Sequence, residues 1–117
     1  MNLKQAKLKI LLLTDGIAPF VLGGMQKHSA NLAKYLTLAG VEVTLVHCVA
    51  AGDDVPSDER VNESLFVDGQ KLDKIIGLKF PSMGILPGHY LKESYRYSEM
   101  VYDKVKDDLD NYDFIYA

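Results

Sequence analysis

The constraint that dominates this chain is a strand, helix and strand pattern packed between Leu8 and Val49. The run Leu8 to Leu13 (LKILLL) is almost continuously aliphatic once Lys9 is set aside. Such a run fits a parallel strand covered by helices on both faces better than a strand with one wet side. From Met25, apolar side chains recur at Met25, Leu32, Leu36 and Ala39, with His28, Ser29 and Ala33 on the same face. That is the spacing of an amphipathic helix, and Gly40 follows where a helix end favours a left-handed residue. Val41 to Val49 then supplies β-branched residues for a second strand. Two parallel strands need a crossover of a dozen or more residues between them, and this helix provides one. The pattern predicts an α/β domain, Rossmann-like and three-layered, with a mainly parallel sheet.

The remaining sequence extends the same plan. Ala51 to Glu63, with Gly52, Pro56 and the acids Asp53, Asp54, Asp58, Glu59 and Glu63, reads as a solvated loop. Ser64 to Asp68 and Ile75 to Phe80 read as two short strands, with Asp68 and Gly69 marking a turn. Pro81 to Gly88 is a loop punctuated by Gly and Pro. From Tyr90, the spacing of Leu91, Tyr95, Ser98, Val101, Tyr102, Val105 and Leu109 predicts a second long helix, which Asn111 to Asp113 break. Phe114 to Ala117 then opens another strand. A chain of 117 residues makes one domain, here taken as residues 1–117. Because so short a final strand completes no sheet, the sequence is expected to be a truncated part of a larger protein.

Composition excludes several function classes. The 13 basic residues are scattered and the net charge is -3, so no phosphate-backbone footprint for nucleic acid is present. The single cysteine, Cys48, precludes an internal disulfide and suits a reducing compartment, the cytoplasm. Lys4, Lys7 and Lys9 ahead of Ile10 to Leu13 imitate a signal peptide, but Asp15 and Gly16 interrupt the apolar run well short of an h-region. No stretch reaches the length of a membrane span. The acids of 53–63 lack the spacing of a calcium loop, and no metal is expected.

Gly23 and Gly24 fall at the expected N-terminus of the first helix, where unpaired N–H groups and the helix dipole form an anion site. The same pair also fits a tight turn that requires positive φ. A dinucleotide site would place GxGxxG directly after the first strand and an acid at the end of the second. Here Gly16 precedes Gly23 and Gly24 by six intervening residues, and the second strand ends in Val46, His47, Cys48 and Val49. The phosphate-loop motif GxxxxGK[ST] is also absent. Nicotinamide dehydrogenase and phosphoryl-transfer readings are therefore disfavoured.

The opening segment resembles the N-terminal domain of group 1 glycosyltransferases, retaining nucleotide-sugar enzymes of the GT-B fold with two facing Rossmann-like domains. The likeness is carried by the strand Ile10 to Leu13, Pro19, Gly23-Gly24-Met25-Gln26, His28, the helix positions Leu32-Ala33 and Leu36, and Gly40-Val41-Glu42-Val43-Thr44-Leu45. Val41 stands where the family usually has His, a change read as solvent-side. Beyond Cys48 the likeness is one of topology, ending on Tyr112 to Ala117 as a strand that leads to the cleft.

This resemblance implies a fold that is the N-terminal, acceptor-side half of a GT-B enzyme transferring sugar from a nucleotide-sugar donor to a glycan or lipid acceptor, as in bacterial surface polysaccharide or glycolipid synthesis. It implies that Gly23 and Gly24 face the donor diphosphate or transferred sugar; the candidate cleft or acceptor contacts are Pro19, Gln26 and His28, the latter two next to the glycines, and His89 at the start of the second helix. The matching family places its nucleotide contacts, paired glutamates and a cleft histidine beyond this sequence. No catalytic residue is therefore expected in these 117 residues, the chain alone is expected to be inactive, and its partner is its own C-terminal domain. The nucleotide-sugar is a substrate, so no cofactor is expected. A cytoplasmic enzyme, with peripheral membrane association, follows from the same likeness.

Other readings stay open on the residues alone. Gln26 also fits a solvated first-turn position, and His28 a histidine packed on the apolar face. His47 and Cys48 fall at a strand end where α/β ligands bind, without a third partner for metal or nucleophilic chemistry. The Pro81 to Gly88 loop fits either an acceptor contact or a free surface loop. The alternatives to the transferase are a non-catalytic flavodoxin-like module and a two-domain nucleotide-sugar epimerase.

Overall fold

A computed structural model describes residues 8–21, 23–50 and 52–80, the backbone of 89–95, and residues 96–117. Four strands alternate with helices: β1 (Lys9–Leu13), α1 (Gly24–Leu38), β2 (Glu42–Val49), α2 (Asp58–Leu65), β3 (Lys74–Lys79), α3 (His89–Val105), a 3-10 turn (Lys106–Asn111) and β4 (Phe114–Tyr116). All pair in parallel in the order β3-β2-β1-β4. The Rossmann-like α/β fold is therefore as expected. The expected loop Pro81 to Gly88 lies outside the described residues.

The central strands are the most apolar in the sequence. Leu11 and Leu12 in β1 and every residue from Val43 to Val49 in β2 are buried. Alternation along β2 sends Val43 and Leu45 toward α1 and α2, where they meet Ala30, Ala33, Val61 and Leu65. Val46 and Cys48 point the other way, to Leu78 and Val105, with Tyr97, Met100 and Val101 of α3 packed against them. Helices thus cover both faces, giving three layers.

α1 closes with a Schellman arrangement. Val41 N–H donates to the Leu36 carbonyl at 3.0 Å and Gly40 N–H to that of Thr37 at 3.0 Å, with Gly40 at φ +94°. This turn folds Val41 back against the core, so its side chain is not on the solvent side as expected from the motif. An apolar residue satisfies that position by packing.

Two further expectations are corrected. Residues 58–63 are helical, and Ser64 to Asp68 is not a strand; Ser64 and Leu65 end α2 and a turn follows. Ser57 caps this helix by accepting from Arg60 N–H at 3.2 Å, and Asp58 and Glu59 sit in its first turn, favourable to the dipole. Val61 and Leu65, one turn apart, carry the buried edge. Of the acids that read as a loop, Asp58, Glu59 and Glu63 are the wet face of a short helix, while Asp53 and Asp54 do lie in the segment before it.

The strand order also decides topology. In a flavodoxin-like sheet the first strand lies between the second and third. Here β1 lies between β2 and β4, which is the start of the other doubly wound order and argues against the flavodoxin-like alternative. Asp113 fixes the start of β4: its Oδ2 accepts from Lys9 N–H at 2.8 Å and its own N–H donates to the Lys9 carbonyl at 2.8 Å. Among the described residues no helix is long and apolar enough to cross a membrane.

Candidate functional site

Because α1 leaves β1 toward one face and α3 arrives at β4 from the other, the chain diverges between the carboxyl ends of β1 and β4. Such a switch point is where open parallel sheets bind ligands. A cavity of about 370 Å³ occupies it, lined by Thr14 and Asp15 at the end of β1, Gly24, Met25, His28 and Ser29 of α1, and Tyr116 and Ala117.

The α1 N-terminus opens into this crevice. No side chain caps it, and its first turn holds no acid, unlike the doubly provided start of α2. The first N–H groups of a helix have no partners within it. Gly24 has no atom within 4 Å of where a Cβ would stand, so its face of the turn is open. Gly23 holds φ +142°, and a Cβ there would run into Gln26 Oε1. Gly23 therefore makes the tight turn, and Gly24 presents no side chain toward the crevice.

A second cavity, about 650 Å³, lies beside the first at the end of β2, and Asp15 lines both. Its walls include Asp15, Gln26, Asp53, Tyr97, Ser98 and the rings of Phe20 and Phe80. Asp15 is held at two points. Its Oδ1 accepts from Gln26 Nε2 at 3.2 Å, and its carbonyl accepts from the Cys48 thiol at 2.9 Å. Thr14 is held likewise: its hydroxyl donates to the Val46 carbonyl at 2.8 Å, and its own carbonyl accepts from the Tyr97 hydroxyl at 2.9 Å. A larger cavity, about 690 Å³, runs along α2 and the start of β3, at the opposite end of the strands from the switch point.

The residues expected from sequence fare differently. Gly24 and His28 meet at the β1–β4 crevice, while Gln26 faces the second cavity. Gln26 is half-buried and bonded to Asp15, not merely solvated. His28 is exposed, which corrects its placement on the apolar face; Met25, 74% exposed, is corrected with it. The stripe of α1 that packs on the sheet runs through Ala30 and Ala33, whose small side chains let the helix sit close, with Leu32 and Leu36 packed beside them as expected, whereas Ala39 is exposed. Pro19 is exposed in the loop before α1, following a cis bond from Ala18, and lines neither cavity. His89 is the first residue of α3, and its side chain lies outside the described residues.

His47 and Cys48 do not act together, since they face opposite layers. His47 is fully buried, and neither ring nitrogen has a hydrogen-bond partner among the described residues. Burial lowers its basicity, and the Asp58 carboxylate opposes this only in part. Burial likewise raises the Cys48 thiol above its ordinary range, so it is a protonated donor and a poor nucleophile. Among the described residues no group of three or more His, Cys, Asp or Glu is arranged to hold a metal ion.

Asp15, Asp53 and Tyr97 were missed by sequence reasoning. Asp15 carried a signal, as the second residue past a parallel strand's carboxyl end; Tyr97 carried none, being one of several tyrosines on a helix. Compared with family models, curated proteins and solved structures, the chain matches none.

Proposed function

We propose that this chain is the N-terminal, acceptor-side domain of a retaining glycosyltransferase that moves a sugar from a nucleotide-sugar to a glycan or lipid acceptor. The observation that carries the reading is the uncapped α1 N-terminus at Gly23-Gly24, opening into the β1–β4 switch-point crevice. The sequence likeness supplies the reaction class, and the crevice supplies a place for its charge.

Cleaving the anomeric bond leaves negative charge on the nucleoside diphosphate while positive charge grows on the sugar. Fixed N–H donors at a helix start stabilise that leaving group, and they need no reorganisation as the bond breaks. Gly24 leaves the donors reachable; Gly23 sets their direction. Catalytic and base-recognising groups are assigned to the partner C-terminal domain, so the chain by itself turns over no donor. The full enzyme is placed in the cytoplasm with its acceptor at or near the membrane surface.

The test is titration of the chain with inorganic pyrophosphate, followed by amide NMR. The expected result is saturable shifts at Gly24, Met25 and Gln26. Unmoved amides there, or measurable sugar transfer by the chain alone, would overturn the reading.

A further inference from the structure

We infer that the cavity at the end of β2 is a subsite for an uncharged or amino-bearing sugar ring, and that it discriminates against phosphorylated sugars. This rests on the acceptor-side reading above and adds the chemistry of what the acceptor presents.

The inference follows from which hydrogen-bonding capacities remain unspent. A carboxylate offers about four acceptor positions and no donor. Asp15 has one oxygen taken, by Gln26, and Asp53 lines the same space. Tyr97 has its proton committed to the Thr14 carbonyl and its phenolic oxygen beside the Cys48 thiol, so it adds no donor to the cavity. The cavity is therefore rich in acceptors and suited to ligand O–H or N–H donors. No lysine, arginine or histidine lines it among the described residues. The side-chain donors left on the wall are the Ser98 hydroxyl and the second Gln26 amide N–H, neither of them charged, so a phosphate group meets no cation there and brings its negative charge toward Asp15 and Asp53.

The apolar part of the wall matches the same ligand. Phe80 and Tyr97 lie with ring centroids 5.4 Å apart and planes tilted by 46°, and Phe20 adds a third ring. Aromatic surface beside acceptors suits a sugar, whose C–H face is apolar and whose rim is hydroxylated. Because Asp15 also lines the switch-point crevice, a hydroxyl held by Asp15 lies at the boundary with the proposed donor site.

The experiment is NMR titration of the chain with glucose, glucosamine and glucose 6-phosphate, following the Gln26 side-chain amide and the backbone amides of Asp15, Ala50 and Tyr97. The expected order is glucosamine at least as tight as glucose, with glucose 6-phosphate weaker than glucose by about fivefold or more. Asp15→Asn keeps the size and an oxygen for Gln26, and is expected to narrow the glucose to glucose 6-phosphate ratio severalfold. Equal or tighter binding of the phosphate ester, or an unchanged ratio in Asp15→Asn, overturns the charge discrimination while leaving a sugar site. If no sugar moves these resonances, the subsite is overturned, while the reading of the α1 N-terminus stands or falls separately with the pyrophosphate titration.

Discussion

The Tyr97 hydroxyl donates a 2.9 Å hydrogen bond to the backbone carbonyl of Thr14, tying α3 to the residue that follows β1. The bond lies at the carboxyl end of the sheet, where open parallel sheets bind ligands. Tyr97→Phe keeps the ring against Phe80 but leaves the part-buried carbonyl without this donor. A loss of about 1 kcal/mol is expected, read as a lower urea midpoint at unchanged slope. Equal midpoints would mean that water replaces the phenol at no cost.

His47 makes stability depend on pH in a defined direction. Its basicity is depressed in the folded chain by burial, so below the ordinary histidine range the unfolded state takes up a proton that the folded state resists. The unfolded state then binds more protons, and stability falls as pH drops through about 6.5. Urea unfolding at pH 7.5 and 5.5 is expected to show a drop in wild type that is smaller in His47→Leu. The same drop in both would place the effect elsewhere.

The neighbour of His47 shows why Gly77 interrupts an otherwise bulky strand. A Cβ on Gly77 would collide with Val55 Cγ1 and stand 3.2 Å from His47 Nε2. Val55 belongs to the segment leading into α2, so its side chain or that segment would have to shift. Gly77→Ala is expected to destabilise by about 1–3 kcal/mol, the usual range for overpacking, measured by thermal or urea unfolding. A neutral effect would show that the 54–57 segment yields easily.

Much of this arrangement was legible in the residues, and the exceptions have physical causes. The β1, α1 and β2 unit could be read because both strands are buried on two faces and Gly40 marks the helix end by a backbone conformation few other residues share. α2 could not, since only Val61 and Leu65 bury its narrow stripe and the surrounding acids look the same on a loop as on a wet helix face. Gly23 and Gly24 were recognisable as the start of α1 because a helix N-terminus is made by local chain geometry. The Asp15, Asp53 and Tyr97 cluster joins residues far apart in sequence, and only the order β3-β2-β1-β4 brings them to one end. His28 misled because its spacing fits the helix period, yet α1 turns that edge to the open crevice.

Cys48 tests the packing on the α3 side. Its thiol is 4% exposed, donates to the Asp15 carbonyl, and is held protonated by burial. Thiolate is the reactive form, so alkylation should be slow at neutral pH. Native chain is expected to resist iodoacetamide over a time in which urea-unfolded chain is fully labelled, as read by intact mass. Rapid native labelling would mean that α3 lifts from the sheet readily.

The two glycines before α1 are expected to separate on substitution. Gly23 occupies a φ that other residues adopt under strain, and its missing side chain leaves room for Gln26. Gly23→Ala is therefore expected to cost about 1–3 kcal/mol of stability and to disturb the Gln26 to Asp15 contact. Gly24 has ordinary helical backbone and open space around its absent Cβ, so Gly24→Val should leave the unfolding midpoint nearly unchanged. What it changes is access, because branched methyl groups then stand between the first-turn N–H groups and the crevice. Pyrophosphate shifts at Met25 and Gln26 should disappear in the folded Gly24→Val chain. In a full-length enzyme, turnover should fall by about a hundredfold, the scale of losing one preorganised donor. Retained shifts and turnover in a stable Gly24→Val protein would reduce the glycine pair to a turn.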